Sequence, residues 1–132
     1  MNKCILVVHD DSDMVAALRL PLESAGYEVL DASSSQEGLE KVKKATPALI
    51  ILDAALEARP GPQVSLTLRS PAAGSRYSAY RHIPILVLTA PCTAASLRSG
   101  SDEAYLPADD FVDKPVDPDV LLEKVRAYLL KM

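Results

Sequence analysis

Four short apolar segments of this chain each lead into a polar residue that could do chemistry. Asp10 follows the first segment, Asp53 the second and Thr89 the third, while Lys114 follows the fourth after one intervening aspartate. Two carboxylates, a hydroxyl and an ammonium group could together bind a divalent cation and a phosphoryl group, because Mg²⁺ prefers oxygen ligands and phosphoryl oxygens interact with cations and hydroxyls. A carboxylate is also an adequate nucleophile for phosphoryl transfer, with an aspartyl phosphate as the product.

The segments that precede these residues have the character of buried strands. They cover residues 5–8, 49–52, 85–88 and 111–112 and consist almost entirely of Ile, Leu, Val and Phe, without polar alternation. Such runs are typical of parallel strands that are buried on both faces. The groups just beyond the carboxyl ends of parallel strands share one edge of the sheet, where open α/β folds build their sites. We therefore expect the four polar residues to lie close together.

Strand and helix signals alternate five times along the chain, which predicts βαβ units around a parallel sheet. A capping box at Ser34 to Glu37 opens the second helix, and Asp117 with Pro118 opens the last one. We expect an extended loop over 70–82 on the amino-end side of the sheet. The predicted strands cover residues 3–8, 27–31, 48–52, 83–88 and 110–113. The predicted helices cover residues 12–25, 34–46, 62–69 and a weakly marked part of 91–108, with a last helix from residue 117.

The composition is that of an ordinary globular domain. The 132 residues are 48% hydrophobic and 24% charged, which argues against disorder and is enough to bury a core. The net charge of −4 disfavours broad electrostatic binding to nucleic acid or to an anionic membrane. No apolar stretch approaches the roughly 20 residues of a membrane helix, and the N-terminus is unlike a signal peptide. With only Cys4 and Cys92, a disulfide framework is not expected and a reducing cytoplasm fits.

The chain resembles a known family over essentially its whole length. It is similar to the response-regulator receiver domains of two-component (phosphorelay) signalling. The glycine at position 61, eight residues after Asp53, also fits the pattern of that family. The segments that carry the resemblance are ILVVHDD at 5–11, LIILD at 49–53, IPILVLTA at 83–90 and ADDFVDKP at 108–115.

The resemblance implies a fold. It is an α/β fold of the flavodoxin-like (βα)5 type, a doubly wound sandwich around a parallel five-stranded sheet with the strand order 2-1-3-4-5. It also implies that residues 1–132 form a single receiver domain.

The resemblance further assigns roles to individual residues. Asp53 would accept the phosphoryl group. Asp10 and Asp53 would bind Mg²⁺, with the backbone carbonyl of Ala55 as a further ligand. Lys114 and Thr89 would hold the phosphoryl oxygens.

A conformational switch is implied as well. Phe111 lies where the family has an aromatic residue that turns inward when the threonine, here Thr89, moves toward the phosphate. Phosphorylation would thereby bias the face built from the fourth strand, the fourth helix, the fifth strand and the last helix between two packings, which a partner can distinguish.

The implied partners are proteins. A histidine kinase or a histidine phosphotransfer protein would donate the phosphoryl group, and a downstream output protein would read the switch. We expect the domain to act in the cytoplasm, without contacting nucleic acid or membrane itself. Because it would turn over no separate substrate, we do not expect it to be an enzyme.

Two features depart from the pattern of the family. Two consecutive acids usually follow the first strand, but here His9 takes the first position and Asp10 the second, with Asp11 as a flanking acid. The first acid generally reaches the metal through a water, so His9 or Asp11 would take that place, and His9 would weaken Mg²⁺ binding without abolishing it. Binding of His9 to a softer metal is the less favoured alternative. The Met-Pro pair that usually follows the acceptor is missing.

Two other functions compete with this interpretation. The first is an atypical receiver that is not phosphorylated and serves as a protein-docking module, which His9 and the altered segment after Asp53 favour. The second is a small phosphohydrolase with an aspartate nucleophile. Such enzymes commonly need a second acid two residues past the nucleophile, where this chain has Ala55.

Overall fold

The computed structural model describes residues 3–57, 64, 83–89, 110–113 and 117–130. Within them, the strands are β1 (Cys4–Val8), β2 (Glu28–Ala32), β3 (Leu49–Asp53), β4 (Ile85–Thr89) and β5 (Asp110–Asp113). These five parallel strands form one sheet in the order β2-β1-β3-β4-β5, as the family resemblance implies. The helices are α1 (Ser12–Ser24), α2 (Ser35–Ala45), α3 (Ala54–Glu57) and α4 (Pro118–Leu130).

Both faces of the sheet are buried, which explains why the sequences of the strands are unbroken apolar runs. Side chains of successive strand residues point to opposite faces, so each strand supplies two cores. On β1, Leu6 and Val8 join a cluster with α2 and α3, whereas Ile5 and Val7 join a second cluster with α1 and α4. The central strand β3 is buried along its whole length. The carboxyl ends of β1 and β3 therefore share a rigid edge.

Local capping signals set the beginnings of the helices. Ser34 caps α2 by accepting from the Glu37 amide, and the Glu37 carboxylate accepts in turn from the backbone N–H and the hydroxyl of Ser33. These Ser33 bonds lower the pKa of Glu37. Asp117 caps α4 by accepting from the Asp119 amide, with Pro118 in the first position of the helix.

The structure differs from the sequence-based expectation directly after β3. The sequence predicts a loop from Asp53 to Gly61, but residues 54–57 form the helical turn α3. Ala, Leu and Glu are strong helix formers, so a propensity signal exists at Ala54-Ala55-Leu56-Glu57. The segment is too short to show a helical period, which is why the pattern did not reveal it.

The other elements agree with the prediction to within one or two residues at each boundary. The predicted helices over 62–69 and 91–108, the predicted loop over 70–82 and Cys92 lie outside the described residues, apart from the helical residue Val64. No helix in the described part of the chain combines the length and the apolarity that membrane spanning requires.

Candidate functional site

Two acidic residues and a histidine meet at the carboxyl edge of the sheet. Asp53 is the last residue of β3, and His9 and Asp10 directly follow the neighbouring strand β1. One ligand atom from each of the three side chains lies within 4.8 Å of the other two. Asp53 is 4% exposed and His9 is 6% exposed, whereas Asp10 reaches solvent. The predicted convergence of the two strand ends therefore brings Asp10 and Asp53 together.

The imidazole of His9 has a defined orientation within this cluster. Its Nδ1 accepts a hydrogen bond from the Asp11 amide at 3.1 Å. Its Nε2 lies 3.9 Å from Oδ1 of Asp53 and has no hydrogen-bond partner within the described residues. The Asp10 carboxylate lies 3.6 Å from Nδ1, which is too long for a hydrogen bond.

Asp11, the flanking acid, has a structural task. Its Oδ1 accepts from the amides of Asp13 at 3.0 Å and Met14 at 3.4 Å, which makes it the N-cap of α1. An aspartate just before a helix is a capping signal in the sequence itself. The family pattern predicts Asp11 only as a flanking acid beside the metal and does not predict this role.

The remaining predicted site residues lie on neighbouring elements. Thr89 ends β4, where it is in register with Asp113 of β5, and Leu88 before it is in register with Asp53. Ala55 lies within α3, two residues after Asp53. Lys114 follows β5 and lies outside the described residues.

Phe111 is in register with Val87 of β4 and packs, half-buried, against the core cluster beneath α2 and α3. It is therefore part of the core in this structure, which is compatible with the switch that the resemblance implies.

A cavity of about 330 Å³ opens beside the cluster, between the start of α1 and the end of β2. His9, Asp10, Arg19 and Asp31 are among its lining residues. Arg19 donates to Asp31 at 2.6 Å and to the Val29 carbonyl at 3.0 Å, so it ties α1 to β2. No signal in the sequence points to Arg19, because its partners lie on another element.

The donor set suits a hard divalent cation. Asp10 and Asp53 supply carboxylate oxygens, which Mg²⁺ prefers, and one or two carboxylates completed by waters are usual for this ion. Two carboxylates this close repel each other unless a cation lies between them. Solvent access at Asp10 leaves room for the water ligands. The residues that the structure describes thus fit Mg²⁺.

The family of the chain follows from comparison with known proteins. The sequence model of one protein family, the response regulator receiver domain, matches residues 5–126. This chain belongs to that family. As a receiver it is part of two-component signalling, and the family resemblance predicted from its motifs is confirmed.

Curated relatives agree with this assignment. The receiver is 36% identical over 129 residues to the alkaline phosphatase synthesis transcriptional regulatory protein PhoP of Bacillus subtilis, covering 98% of this chain and 49% of that protein. It is 30% identical over 129 residues to the phosphate regulon transcriptional regulatory protein PhoB of Pseudomonas aeruginosa, covering 98% of this chain and 52% of that protein. The chain thus spans about half the length of these relatives.

Solved structures match the receiver over nearly its whole length. The chemotaxis response regulator CheY4 of Vibrio cholerae aligns with a TM-score of 0.77 and 26% identity, covering 97% of this chain and 99% of that chain. The signal receiver domain of a signal transduction histidine kinase from Syntrophus aciditrophicus aligns with a TM-score of 0.78 and 27% identity, covering 98% of this chain and 92% of that chain. The predicted flavodoxin-like fold class is confirmed.

Proposed function

We propose that this receiver accepts a phosphoryl group on Asp53 with the help of Mg²⁺ and thereby switches a downstream partner. The observation that carries the proposal is the position of Asp53, a buried carboxylate at the end of the central strand, next to the Asp10 carboxylate on the neighbouring strand end. Asp10 and Asp53 would hold the ion, with the backbone carbonyl of Ala55 as a further ligand. Mg²⁺ would supply neutralisation of the charge on a phosphoryl oxygen.

The transfer itself needs only the carboxylate and an activated donor. An oxygen of Asp53 forms a bond to phosphorus while the bond between phosphorus and the donor's imidazole nitrogen breaks, and the nitrogen keeps the electron pair. We assign Lys114 and Thr89 to the remaining phosphoryl oxygens, as the family resemblance implies. The ammonium group would balance charge and the hydroxyl would donate a hydrogen bond.

A direct test is the intact mass of the protein after incubation with acetyl phosphate and Mg²⁺. We expect the wild-type protein to gain the mass of one phosphoryl group and to lose this gain when a chelator removes Mg²⁺. Asp53→Asn should abolish the gain. Asp13→Asn is the matched control, because Asp13 is an exposed acid in the first turn of α1 that is not part of the cluster of His9, Asp10 and Asp53, and it should be phosphorylated like the wild type.

The second candidate function is a docking module that is not phosphorylated. His9 at the place of an acid is the observation that favours it. An unchanged mass of the wild-type protein under the same conditions would support the docking module and contradict phosphorylation of Asp53.

We propose protein partners on both sides of the switch. A histidine kinase or histidine phosphotransfer protein in the cytoplasm would supply the phosphoryl group, and an output protein or domain would recognise the surface formed by β4, β5 and α4. Thr89 and Phe111 on these strands would couple the phosphoryl group to that surface. The domain, spanning residues 1–132, would act as a switch and not as an enzyme with a separate substrate. Phosphotransfer from a panel of candidate kinases would identify the donor.

A further inference from the structure

The hydrogen bond at Nδ1 of His9 decides where a neutral imidazole carries its proton. The Asp11 amide donates to Nδ1 at 3.1 Å, so Nδ1 must present a lone pair and cannot hold a proton. In the neutral ring the proton then lies on Nε2. His9 therefore presents an N–H group, not a lone pair, at the Nε2 position.

This N–H group is directed into the site and has no partner there. Nε2 is buried, it has no hydrogen-bond partner within the described residues, and it lies 3.9 Å from Oδ1 of Asp53. That distance exceeds the usual length of about 2.7–3.2 Å for an N–H···O bond. A buried donor without an acceptor is destabilising, and an oxygen of a group attached to the Asp53 side chain could act as its acceptor. A phosphoryl group on Asp53 would bring such oxygens.

The same geometry argues against His9 as a metal ligand. A ligating imidazole uses a lone pair at one nitrogen and usually donates from the other nitrogen to a carbonyl or a carboxylate. Here the nitrogen on the far side accepts from an amide, which leaves no lone pair at Nε2. The hydrogen bond from Asp11 thus favours a donor role at Asp53.

We propose that Nε2 of His9 donates a hydrogen bond to the phosphoryl group on Asp53, so that a donor occupies the position where other receivers have an acid. The proposal rests on phosphorylation of Asp53 as proposed above. It makes His9 a residue that binds the phosphorylated form, while the metal depends on Asp10, Asp53 and the Ala55 carbonyl. A hydrogen bond that an N–H group donates to a charged phosphoryl oxygen is stronger than one between two neutral groups.

Two variants separate the two nitrogens of the ring. The amide of glutamine places an N–H₂ donor near the Nε2 position, so His9→Gln keeps the proposed donor. The shorter asparagine places a carbonyl near the Nδ1 position, so His9→Asn keeps the acceptor for the Asp11 amide and loses the donor. The probe is beryllofluoride with Mg²⁺, which imitates a phosphoryl group on a carboxylate and binds reversibly.

We expect His9→Asn to weaken beryllofluoride binding at least about tenfold, and His9→Gln to restore most of the loss, because a hydrogen bond to a charged group is removed in one and kept in the other. Thermal unfolding of both variants verifies that they fold. Equal affinity of the wild type and His9→Asn would overturn the role of His9. Failure of the folded wild-type protein to bind beryllofluoride would overturn phosphorylation at Asp53 and the His9 proposal with it.

Nitrogen-15 NMR of the imidazole rings gives a readout that a merely structural role would not produce. The chain has two histidines, so His9→Asn assigns the His9 signals and His82 serves as an internal reference. We expect a protonated Nε2 and an unprotonated Nδ1, with the Nε2 proton exchanging more slowly once beryllofluoride is bound. A protonated Nδ1, or an Nε2 that loses its proton when Mg²⁺ alone is added, would contradict the proposal.

Discussion

His9, Asp10 and Asp11 follow one another in the sequence, but their side chains have different surroundings. His9 is buried with its Nε2 toward Asp53, Asp10 reaches solvent beside it, and Asp11 caps α1. A run of three polar residues can serve three purposes because the chain turns there from strand to helix. Roles at this scale depend on which backbone amides and carboxylates each side chain meets.

A residue-scale prediction concerns Asp110 on β5. Its carboxylate pairs with the Lys124 ammonium of α4 at 2.8 Å and accepts from the Phe111 amide. Burial raises the pKa of Asp110, but the bonds from Lys124, Phe111 and Tyr128 outweigh it, so the pKa lies below its usual value. A carboxyl group with a lowered folded-state pKa stabilises the protein above its unfolded-state pKa, and that contribution is lost as the pH falls through the folded-state pKa.

We therefore expect Asp110→Asn to lower the free energy of unfolding by about 0.5–1 kcal/mol at neutral pH, a small value because the pair is partly solvated. The difference from the wild type should disappear in acid, below the ordinary range of an aspartate. Urea unfolding over a pH series measures both effects. The control is Glu123, an exposed acid on α4 next to Lys124. Glu123→Gln should show no such pH-dependent difference. A constant deficit of Asp110→Asn down to low pH would contradict the ion-pair explanation.

At the scale of elements, the distance between α2 and the sheet is set by a glycine. A Cβ atom built on Gly38 would lie 3.0 Å from Cγ2 of Val8 and 3.5 Å from Cγ2 of Val64. The helix can approach β1 this closely because position 38 has no side chain. Val8 directly precedes His9, so the packing of α2 also supports the strand end that carries the site.

We expect Gly38→Val to lower the free energy of unfolding by about 2–3 kcal/mol, because the added carbons overpack the contact with Val8. Glu40→Val, two residues away on the exposed side of α2, introduces the same side chain into the same helix and should change stability by less than about 1 kcal/mol. Thermal or urea unfolding compares the two. If Gly38→Val lost no more stability than Glu40→Val, the contact with Val8 would not be the cause, because valine has a higher helix propensity than glycine.

At the scale of the whole molecule, the sheet brings separate parts of the chain to one edge. The carboxylates of Asp10 and Asp53 come from neighbouring strands that are 43 residues apart in sequence by the difference of their numbers. Their mutual repulsion is present only in the folded state, where a cation can relieve it. Binding at this edge is therefore linked to the stability of the entire fold.

We expect Mg²⁺ to raise the free energy of unfolding by about 2.7 kcal/mol at one hundred times its dissociation constant. The measurement is thermal unfolding with and without Mg²⁺ at equal ionic strength. Asp10→Asn should remove most of this response and should stabilise the metal-free protein, since one of two repelling charges is gone. Asp13→Asn should respond like the wild type. Equal melting temperatures of the wild type with and without Mg²⁺ would contradict a magnesium site here.

The sequence by itself determined the positions of Asp10 and Asp53 at strand ends and the start of the last helix at Asp117. These features follow from periods, caps and motifs that are local in the chain. Only the tertiary structure decided that Nε2 of His9 is directed at Asp53 and that Arg19 binds Asp31. It also decided that Val8 packs closely against Gly38, where a side chain would not fit. Each of these depends on atoms from two elements, and no local pattern encodes the distance between them.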